Sequence, residues 1–270
     1  MNLQHVMVLA RYELAKSIVS ARGILFLVLY GIVWFWILWK LSEGHAGLLA
    51  EREGSMIAAW LLDPMIAKHL FIDNPPTLSA FYLLSLSILP IFVLWGAGDQ
   101  TASDIGNKHL RYLIPRCGRL EIFVGRFLGA LAFIFIFHLL VVAVATLITT
   151  FVDPESTATI VGFSVQVTFA VLVYTLPWVA LMAIAGALTG SAPIAVLTAI
   201  AAYAVLGIAT NLLSMSWPQA EWLGYLLPAA MKPHLLSADF GDVLGAGAAM
   251  LAYAAVYLAV GWQVFRRRDI

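Results

Sequence analysis

The chain has 270 residues, of which 62% are hydrophobic and 11% are charged, and its formal net charge is zero. Soluble globular domains carry about 25% charged residues, so this composition excludes an ordinary soluble domain. The mean hydropathy of +0.93 and the long uncharged stretches predict a chain that lies mostly in lipid. The absence of a basic excess argues against nucleic-acid binding. The single cysteine, Cys117, excludes an internal disulfide and a cysteine-based zinc site.

The first 22 residues predict an amphipathic helix that lies in the membrane interface. At 100° per residue, one stripe is apolar and consists of Leu3, Met7, Ala10, Leu14, Ile18 and Ala21. The other side is polar and carries His5, Tyr12, Glu13, Lys16 and Ser20. No continuous apolar core is present here, so we expect no cleavable signal peptide. A solvated N-terminal extension is the alternative interpretation.

Uncharged runs predict six membrane-spanning helices, because a charge at bilayer depth costs at least a few kcal/mol. The run from Glu155 to Glu221 is too long for one crossing. Gly186, Gly190 and Pro193 predict the turn that divides it into two antiparallel helices. The six predicted spans cover residues 23–41, 78–98, 122–150, 160–187, 193–213 and 243–265.

The Lys and Arg distribution predicts that both termini are cytoplasmic. That orientation leaves four basic residues outside, which are Lys40, Arg52, Lys68 and Lys232. The eleven on the inside are Arg11, Lys16, Arg22, Lys108, Arg111, Arg116, Arg119, Arg126, Arg266, Arg267 and Arg268. Five acidic residues fall inside and ten outside, so the predicted faces carry charges of +6 and −6.

Two predicted outer segments, 42–77 and 214–242, are long enough to carry structure of their own. The first contains the apolar stretch Met56–Leu62 and ends in a predicted helix stop at Asp73–Pro76. The second is interrupted by prolines at positions 218, 228 and 233. Apolar backbone broken by proline is tolerated at membrane depth only under a cover of protein. We therefore expect short interfacial or partly re-entrant helices here.

The predicted loop between the second and third spans carries the most distinctive pattern. Ser103 is expected to cap a short helix whose first turn contains Asp104, and Pro115 is expected to stop that helix. Leu110 and Leu113 then share an edge with a basic border, which is typical of docking into a groove of a soluble partner. The alternative is a loop whose charges only set the topology.

Within residues 99–126, an acidic residue and a glycine precede a leucine-rich turn, a proline, an arginine and a Gly-Arg pair. The residues in this pattern are Asp99, Asp104, Gly106, Leu110, Leu113, Pro115, Arg119, Gly125 and Arg126. The pattern resembles the corresponding loop of ABC-2 type transporter permeases. The six-span layout, the N-terminal helix and the proline-containing outer segment are similar to that family too. Arg119 follows Pro115 by four residues where three is usual in the family, so Arg116 is an alternative for that arginine.

The resemblance implies an all-α polytopic membrane protein of the ABC-2, or type V exporter, kind. One transmembrane domain over 1–270 would comprise an interfacial helix (1–22), a membrane region (23–265) and a basic tail (266–270). The chain would be a permease subunit in the bacterial cytoplasmic (inner) membrane, paired with an identical or different second permease subunit. It would form the export path of an unidentified substrate, and a separate cytoplasmic ABC ATPase would drive it.

The chain has no Gly-x-x-x-x-Gly-Lys-Ser/Thr phosphate loop, which agrees with an ATP site on a separate subunit. ATP and Mg²⁺ would bind the partner, and we expect this chain to bind no cofactor and to have no catalytic activity of its own. The residues that the resemblance assigns to ATPase coupling are Asp99, Asp104, Gly106, Leu110, Arg111, Leu113, Pro115, Arg116, Arg119, Gly125 and Arg126.

Polar groups within or beside the spans are candidates for the substrate path, although interhelical hydrogen bonding is their more common role. The candidates are His138, Gln166 and Asn211, and Tyr174 and Gln263 are of the same kind. No predicted span holds a carboxylate or basic residue deep inside, which argues against an ion-coupled secondary transporter.

Other functional classes lack their usual motifs. The chain has no His-Glu-x-x-His and no Gly-x-Ser-x-Gly sequence, which argues against an intramembrane hydrolase. His45, His69 and His234 match no metal-ligand spacing, so no metal site is predicted. A membrane anchor or regulator of an ATPase, without transport, remains an alternative.

Overall fold

The computed structural model describes residues 1–49 and 62–268, and all regular secondary structure in these residues is helical. In chain order the α-helices are α1 (Leu3–Val19), α2 (Ala21–Ser42), α3 (Pro64–Phe71), α4 (Pro76–Gly96), α5 (Ala102–Gly106), α6 (Leu110–Leu113), α7 (Arg119–Val152), α8 (Thr157–Thr189), α9 (Ala192–Ser216), α10 (Lys232–Leu235) and α11 (Phe240–Arg267). Short 3-10 helices cover His45–Leu49, Pro218–Leu226 and Pro228–Met231.

Six of these helices, α2, α4, α7, α8, α9 and α11, are long and apolar enough to cross a membrane. Each of them matches one predicted span, with ends that differ by no more than three residues. The prediction of six long apolar helices is therefore confirmed. The apolar stretch predicted at Met56–Leu62 lies almost entirely outside the described residues.

The helix boundaries follow local chemistry. Ser20 has an extended backbone between α1 and α2, and its side chain accepts a hydrogen bond from the Gly23 amide of α2. Gly190 ends α8 in the left-handed conformation, with φ of 65°, which glycine adopts at little cost. The turn predicted between the fourth and fifth spans is thus confirmed, and it lies at the second of the two predicted glycines.

The end of the bundle that carries residues 97–118, which we call the loop end, also holds both ends of the described chain. The amide of Asn2 donates to the Glu121 carboxylate at the start of α7. The Arg268 guanidinium donates to the carbonyls of Ala187 and Leu188 at the end of α8. Both termini therefore lie on one side, as an even number of crossings requires.

The opposite end of the bundle is held by a carboxylate that caps a neighbouring helix. Asp153, at the end of α7, accepts hydrogen bonds from the backbone amide and the hydroxyl of Thr77, at 2.9 and 2.6 Å. Thr77 is buried in the first turn of α4, where amides have no partner within the helix. This contact fixes the start of α4 against the α7–α8 hairpin.

One face of α2 forms the aromatic part of the core. Phe26, Tyr30 and Trp34 recur every four residues and are all buried. Trp34 packs against Phe81 of α4, and the Tyr30 hydroxyl lies 2.6 Å from His138 Nδ1 of α7. Side-chain packing of this kind stabilises helix association in lipid, where the hydrophobic effect between helices is small.

Helix α1 packs along the first turns of α7, and two glycines of α7 permit the close approach. A Cβ atom at Gly125 would lie 2.6 Å from the Leu9 Cβ, and one at Gly129 would lie 2.5 Å from the Glu13 Cβ. Glycines four residues apart are a common helix-packing motif in membrane proteins. Residues 9 and 13 thus meet residues 125 and 129 in order, which makes the two helices run parallel here.

The side of α1 that packs on the bundle differs from the predicted apolar stripe. Val6, Leu9 and Glu13 are buried, whereas Leu3 and Met7 of the stripe are 67% and 52% exposed. The assignment of Glu13 to the polar outer side is therefore wrong. Its basic partner Arg126 on α7 makes its burial possible, and the pattern of α1 does not identify that partner.

Candidate functional site

The loop between α4 and α7 contains two short helices instead of the single capped helix predicted. Thr101, not Ser103, occupies the cap position, and the chain turns between α5 and α6 with Lys108 at a φ of 57°. At Gly106 a Cβ atom would lie 2.4 Å from the carbonyl oxygen of Gly190. Only glycine allows this contact, which seats the loop on the α8–α9 turn.

A buried ion network connects this loop to α1 and α7. The Arg126 guanidinium of α7 lies 2.5 Å from the Glu13 carboxylate of α1 and 2.7 Å from the Asp104 carboxylate of α5. Each of the three residues is at most 3% exposed. Buried charges of this kind are tolerated because they are paired, and removing one partner is strongly destabilising. The three elements are therefore held together at one point.

Burial of Glu13 alters its protonation equilibrium, although its carboxylate is paired with Arg126. Burial raises the pKa of Glu13 to about 7, against the opposing effects of the Lys16 and Arg126 charges. The Tyr12 ring lies 5.0 Å from the Arg126 guanidinium carbon and adds a cation–π contact. The raised pKa favours the protonated form of Glu13, while Arg126 keeps its contact with Asp104.

A second set of charges lies beside the first. Asp99, just after α4, is 3.1 Å from the Lys16 ammonium and 3.8 Å from the Arg22 guanidinium. The same Lys16 ammonium donates to the Ser103 hydroxyl at 2.9 Å. These partly exposed contacts are individually weak. Together they place the ends of α1, α2 and α4 and the start of the loop in one polar cluster.

Glu121 joins the beginnings of α1 and α7. Its carboxylate accepts hydrogen bonds from the Asn2 amide at 2.6 Å and the Gly118 amide at 3.1 Å, and it lies 2.9 Å from His5 Nδ1. Cys117 completes a group whose nitrogen, sulfur and oxygen atoms lie within 4.8 Å of one another and could hold a metal ion. Helix capping already uses both Glu121 oxygens, so these contacts are explained without a metal.

Leu110 does not belong to an exposed ridge. It is 2% exposed and packs in a buried cluster with Leu9 of α1, Phe123 of α7 and Phe265 of α11. Leu113 is half-buried against the same cluster. The prediction of an apolar edge formed by both leucines is wrong for Leu110, because the turn before α6 directs the Leu110 side chain into this buried cluster.

The exposed part of the loop is basic and aromatic. Arg111, Arg116 and Lys108 are exposed, and Tyr112 between them is 77% exposed. Pro115 is exposed directly after α6, where the backbone leaves the helix. This surface, which we call the basic tip, consists of Lys108, Arg111, Tyr112 and Arg116.

Arg119 has a different environment from Arg116. Its guanidinium donates to the carbonyl oxygens of Arg266, at 2.6 Å, and Arg268, at 3.3 Å, and so holds the end of α11. Arg116 is exposed and is therefore accessible to another molecule. The loop pattern gave these two arginines as alternatives. In the structure Arg116 is exposed, whereas Arg119 is hydrogen-bonded to the end of α11.

The three candidate path residues lie in different surroundings. His138 is buried and enclosed by Tyr30, Trp34 and Phe81. Gln166 is half-buried on α8. Asn211 is exposed on α9, and its amide donates to a carbonyl of its own helix. Structural hydrogen bonding accounts for His138 and Asn211, so the described contacts do not join these residues into one path.

Sequence reasoning did not connect Glu13 with the buried ion network or Lys16 with the polar cluster beside it. One usable signal was present in α1, since Val6, Leu9 and Glu13 follow a helical spacing of three and four residues. The other was the pair of glycines four residues apart at Gly125 and Gly129, with Arg126 next to the first. Neither signal identifies the two helices as partners.

The fold and the site define an all-helical protein with six potential membrane-spanning helices and a buried ion network at one end of the bundle. The family model described as "Protein of unknown function (DUF2705)" matches residues 72–270, and the chain belongs to this family. The matched region includes Asp104 and Arg126 and leaves Glu13 outside. A search of curated proteins finds no match to this chain.

Proposed function

We propose that this protein is the permease subunit of an ATP-driven exporter in the bacterial cytoplasmic membrane, with the loop end facing the cytoplasm. A separate cytoplasmic ABC ATPase would bind ATP and Mg²⁺ and dock on the basic tip. The observation that carries the proposal is the direct connection of this exposed tip to a buried network. Asp104 of the loop is paired with Arg126 of a long apolar helix, and Arg126 is paired with Glu13 of α1.

The network provides a route for mechanical coupling. A partner that displaces α5 and α6 must move Arg126 as well, because separating Asp104 from it would leave charges buried without partners. Glu13 extends the same restraint to α1, whose close contact with Gly125 and Gly129 leaves no space for sliding. Movement of the loop would therefore reach α1 and α7 together.

The charge of the tip suits an acidic docking surface. Lys108, Arg111 and Arg116 give it three exposed cations, with Tyr112 as an aromatic contact among them. Tyr and Arg are enriched at the energetically important centres of protein interfaces. The excess of Lys and Arg at this end also agrees with a cytoplasmic orientation.

A second permease subunit has a suitable surface on α9. The buried residues of this helix are few and small (Ala192, Ala195, Ala199 and Thr210), while its large apolar side chains are exposed. In our proposal, a second subunit covers part of this surface and lipid covers the remainder. A cavity between two subunits would then form the path, since the described contacts do not connect the candidate path residues within one chain.

The proposal is tested by reconstituting the protein with the ABC ATPase encoded in a neighbouring reading frame and measuring ATP hydrolysis in nanodiscs. We expect the intact chain to stimulate hydrolysis. The double variant Arg111→Glu/Arg116→Glu should remove the stimulation, because both residues are exposed and neither holds the fold. Lys68→Glu, an exposed charge reversal at the opposite end, is the matched control. Unchanged stimulation by the double variant would contradict the docking assignment.

Transport itself needs a second measurement. ATP hydrolysis that responds to a transported compound would support a permease. Hydrolysis that the chain stimulates but that no candidate compound alters would favour a membrane anchor for the ATPase, without a path. Uptake into inside-out vesicles separates the two outcomes directly.

A further inference from the structure

A charged side chain of the predicted outer segment 214–242 lies beside the middle of α4. The Lys232 ammonium donates to the Ser87 hydroxyl of α4 at 3.0 Å. Ser87 is the twelfth of the 21 residues of α4, so it lies roughly 16 Å from one end of the helix and roughly 14 Å from the other at 1.5 Å per residue. Helix α4 is about as long as the roughly 30 Å hydrocarbon core. The ammonium is therefore near mid-depth.

Two further contacts hold the segment that carries Lys232 against α4 and α11. The hydroxyl of Tyr82, inside α4, donates to the Leu235 carbonyl of α10 at 2.5 Å. The hydroxyl of Tyr253, near the middle of α11, donates to the Tyr225 carbonyl of the preceding 3-10 helix. Residues 218–235 thus fold back along α4 and α11 from the opposite end of the bundle.

The described residues leave the surface around Lys232 partly exposed. Lys232 is half-buried and Ser87 is exposed. Among the side chains that the structure describes, no carboxylate lies within 4.0 Å of the ammonium. A cation at mid-depth that faces lipid is costly, and such residues in membrane proteins face protein or a water-filled cavity. This side of α4 and α10 is therefore unsuited to contact with lipid tails.

We propose that Lys232 and Ser87 form a cationic subsite, on a water-filled path, for an anionic group of the transported compound. The inference rests on the proposed transport function and specifies the chemical class of the substrate. A lysine ammonium has three donors, and Ser87 accepts one of them. Two donors remain for the oxygens of a phosphate or carboxylate group. In this proposal, water reaches the path from the opposite end of the bundle, where residues 218–235 enter.

Thiol chemistry tests the proposal without knowledge of the substrate. Because Cys117 is the only cysteine, Cys117→Ser provides a cysteine-free chain. Into this background we would introduce Ser87→Cys or, with Ser87 retained, Ile91→Cys one turn further along the exposed side of α4. The probes are a pair of methanethiosulfonates, one with an anionic sulfonatoethyl group and one with a cationic trimethylammonium-ethyl group. Leu140→Cys, exposed in the middle of α7, is the control.

We expect both reporter positions on α4 to react, with a preference for the anionic reagent of roughly tenfold or more. Lys232→Gln should abolish the preference, and Lys232→Arg should retain it. Leu140→Cys should react slowly with both reagents. The proposal is overturned if both α4 positions are unreactive, if the two reagents react equally, or if Lys232→Gln leaves the preference intact.

The reaction requires no ATPase, so its failure is distinguishable from failure of the proposed function. If labelling shows the expected preference while the ATPase is not stimulated, the cationic subsite stands and the coupling assignment fails. If stimulation occurs while the α4 cysteines are unreactive, the permease proposal stands and the subsite is excluded.

Discussion

Arg126 and Glu13 lie 2.5 Å apart although 113 residues separate them in the chain. The pair joins the N-terminal helix to the longest helix of the bundle at a point that is closed to solvent. Since Asp104 contacts the same guanidinium, the pair connects the loop that carries the basic tip to the long apolar helix α7.

Replacing the shared guanidinium should destabilise the protein strongly. In Arg126→Ala the carboxyl groups of Glu13 and Asp104 remain buried without their basic partner, and breaking a buried pair in this way costs about 3–5 kcal/mol. The thermal unfolding midpoint of the purified protein in detergent measures the effect. Arg116→Ala, an exposed substitution in the same loop, should change stability by about 0.5 kcal/mol or less. Similar midpoints for the two variants would show that the network contributes little.

A methyl group at the contact of α1 with α7 should force the two helices apart. In Gly129→Ala the new Cβ lies 2.5 Å from the Glu13 Cβ and 2.6 Å from the Ala10 carbonyl oxygen, neither of which is a flexible chain end. Overpacking of this kind costs about 1–3 kcal/mol. Gly162→Ala on α8 is the matched control, because nothing lies within 4 Å of its Cβ position. A lower unfolding midpoint for the control than for Gly129→Ala would refute this packing.

Stability should decrease as the pH rises through neutrality, because of Glu13. Burial raises its folded-state pKa to about 7 from an ordinary value of 4.5, so the folded protein holds the proton more tightly than the unfolded chain does. The resulting stabilisation is complete below pH 4.5 and is lost as the pH passes 7. We expect a loss on the order of 2–3 kcal/mol, measured as unfolding midpoints between pH 5 and pH 8.

Glu13→Gln should remove this part of the pH dependence, since its amide does not titrate. The exposed Glu43→Gln variant should retain it, because a hydrogen bond to Lys40 lowers the pKa of Glu43 from an ordinary value that is already below this window. A Glu13→Gln protein with the same slope as the original would assign the pH dependence to other groups.

The opposite end of the bundle should depend on the cap that Asp153 provides. Asp153→Ala leaves the buried Thr77 amide and hydroxyl without their acceptor, at a cost of about 1–3 kcal/mol. Hydrogen exchange of the first turn of α4 should accelerate together with the loss of stability. Asp73→Ala, an exposed change in the segment before α4, serves as the control. Unaltered exchange at the start of α4 would show that the helix start does not need this cap.

The long helices could be read from the sequence because lipid imposes a simple condition. Charged residues are costly at bilayer depth, so uncharged runs mark the spans, and Gly190 marks the turn within the longest run. That condition does not apply to Lys232, because Lys232 belongs to no span. The segment that carries it folds back into the bundle, and contacts with Tyr82 and Tyr253 hold it there.

The loop shows why local patterns were insufficient for the site. The sequence predicts that Leu110 and Leu113 form an exposed apolar edge and that Asp104 lies in the first turn of a capped helix. The burial of Leu110 and Asp104 depends on Gly106 meeting Gly190 and on Arg126 offering a charge, both of which lie outside the local helix. The burial of Leu110 therefore differs from the prediction, and the exposed part of the loop is the basic tip.

By itself the sequence determined the number, length and order of the apolar helices, because hydropathy and helix-breaking residues act within short stretches of chain. The tertiary structure decided which charges are buried together and how deep each one lies. Those properties depend on distant partners such as Glu13 and Arg126, or Lys232 and Ser87. Electrostatic pairing and close packing act between atoms that are near in space, and no local pattern records that nearness.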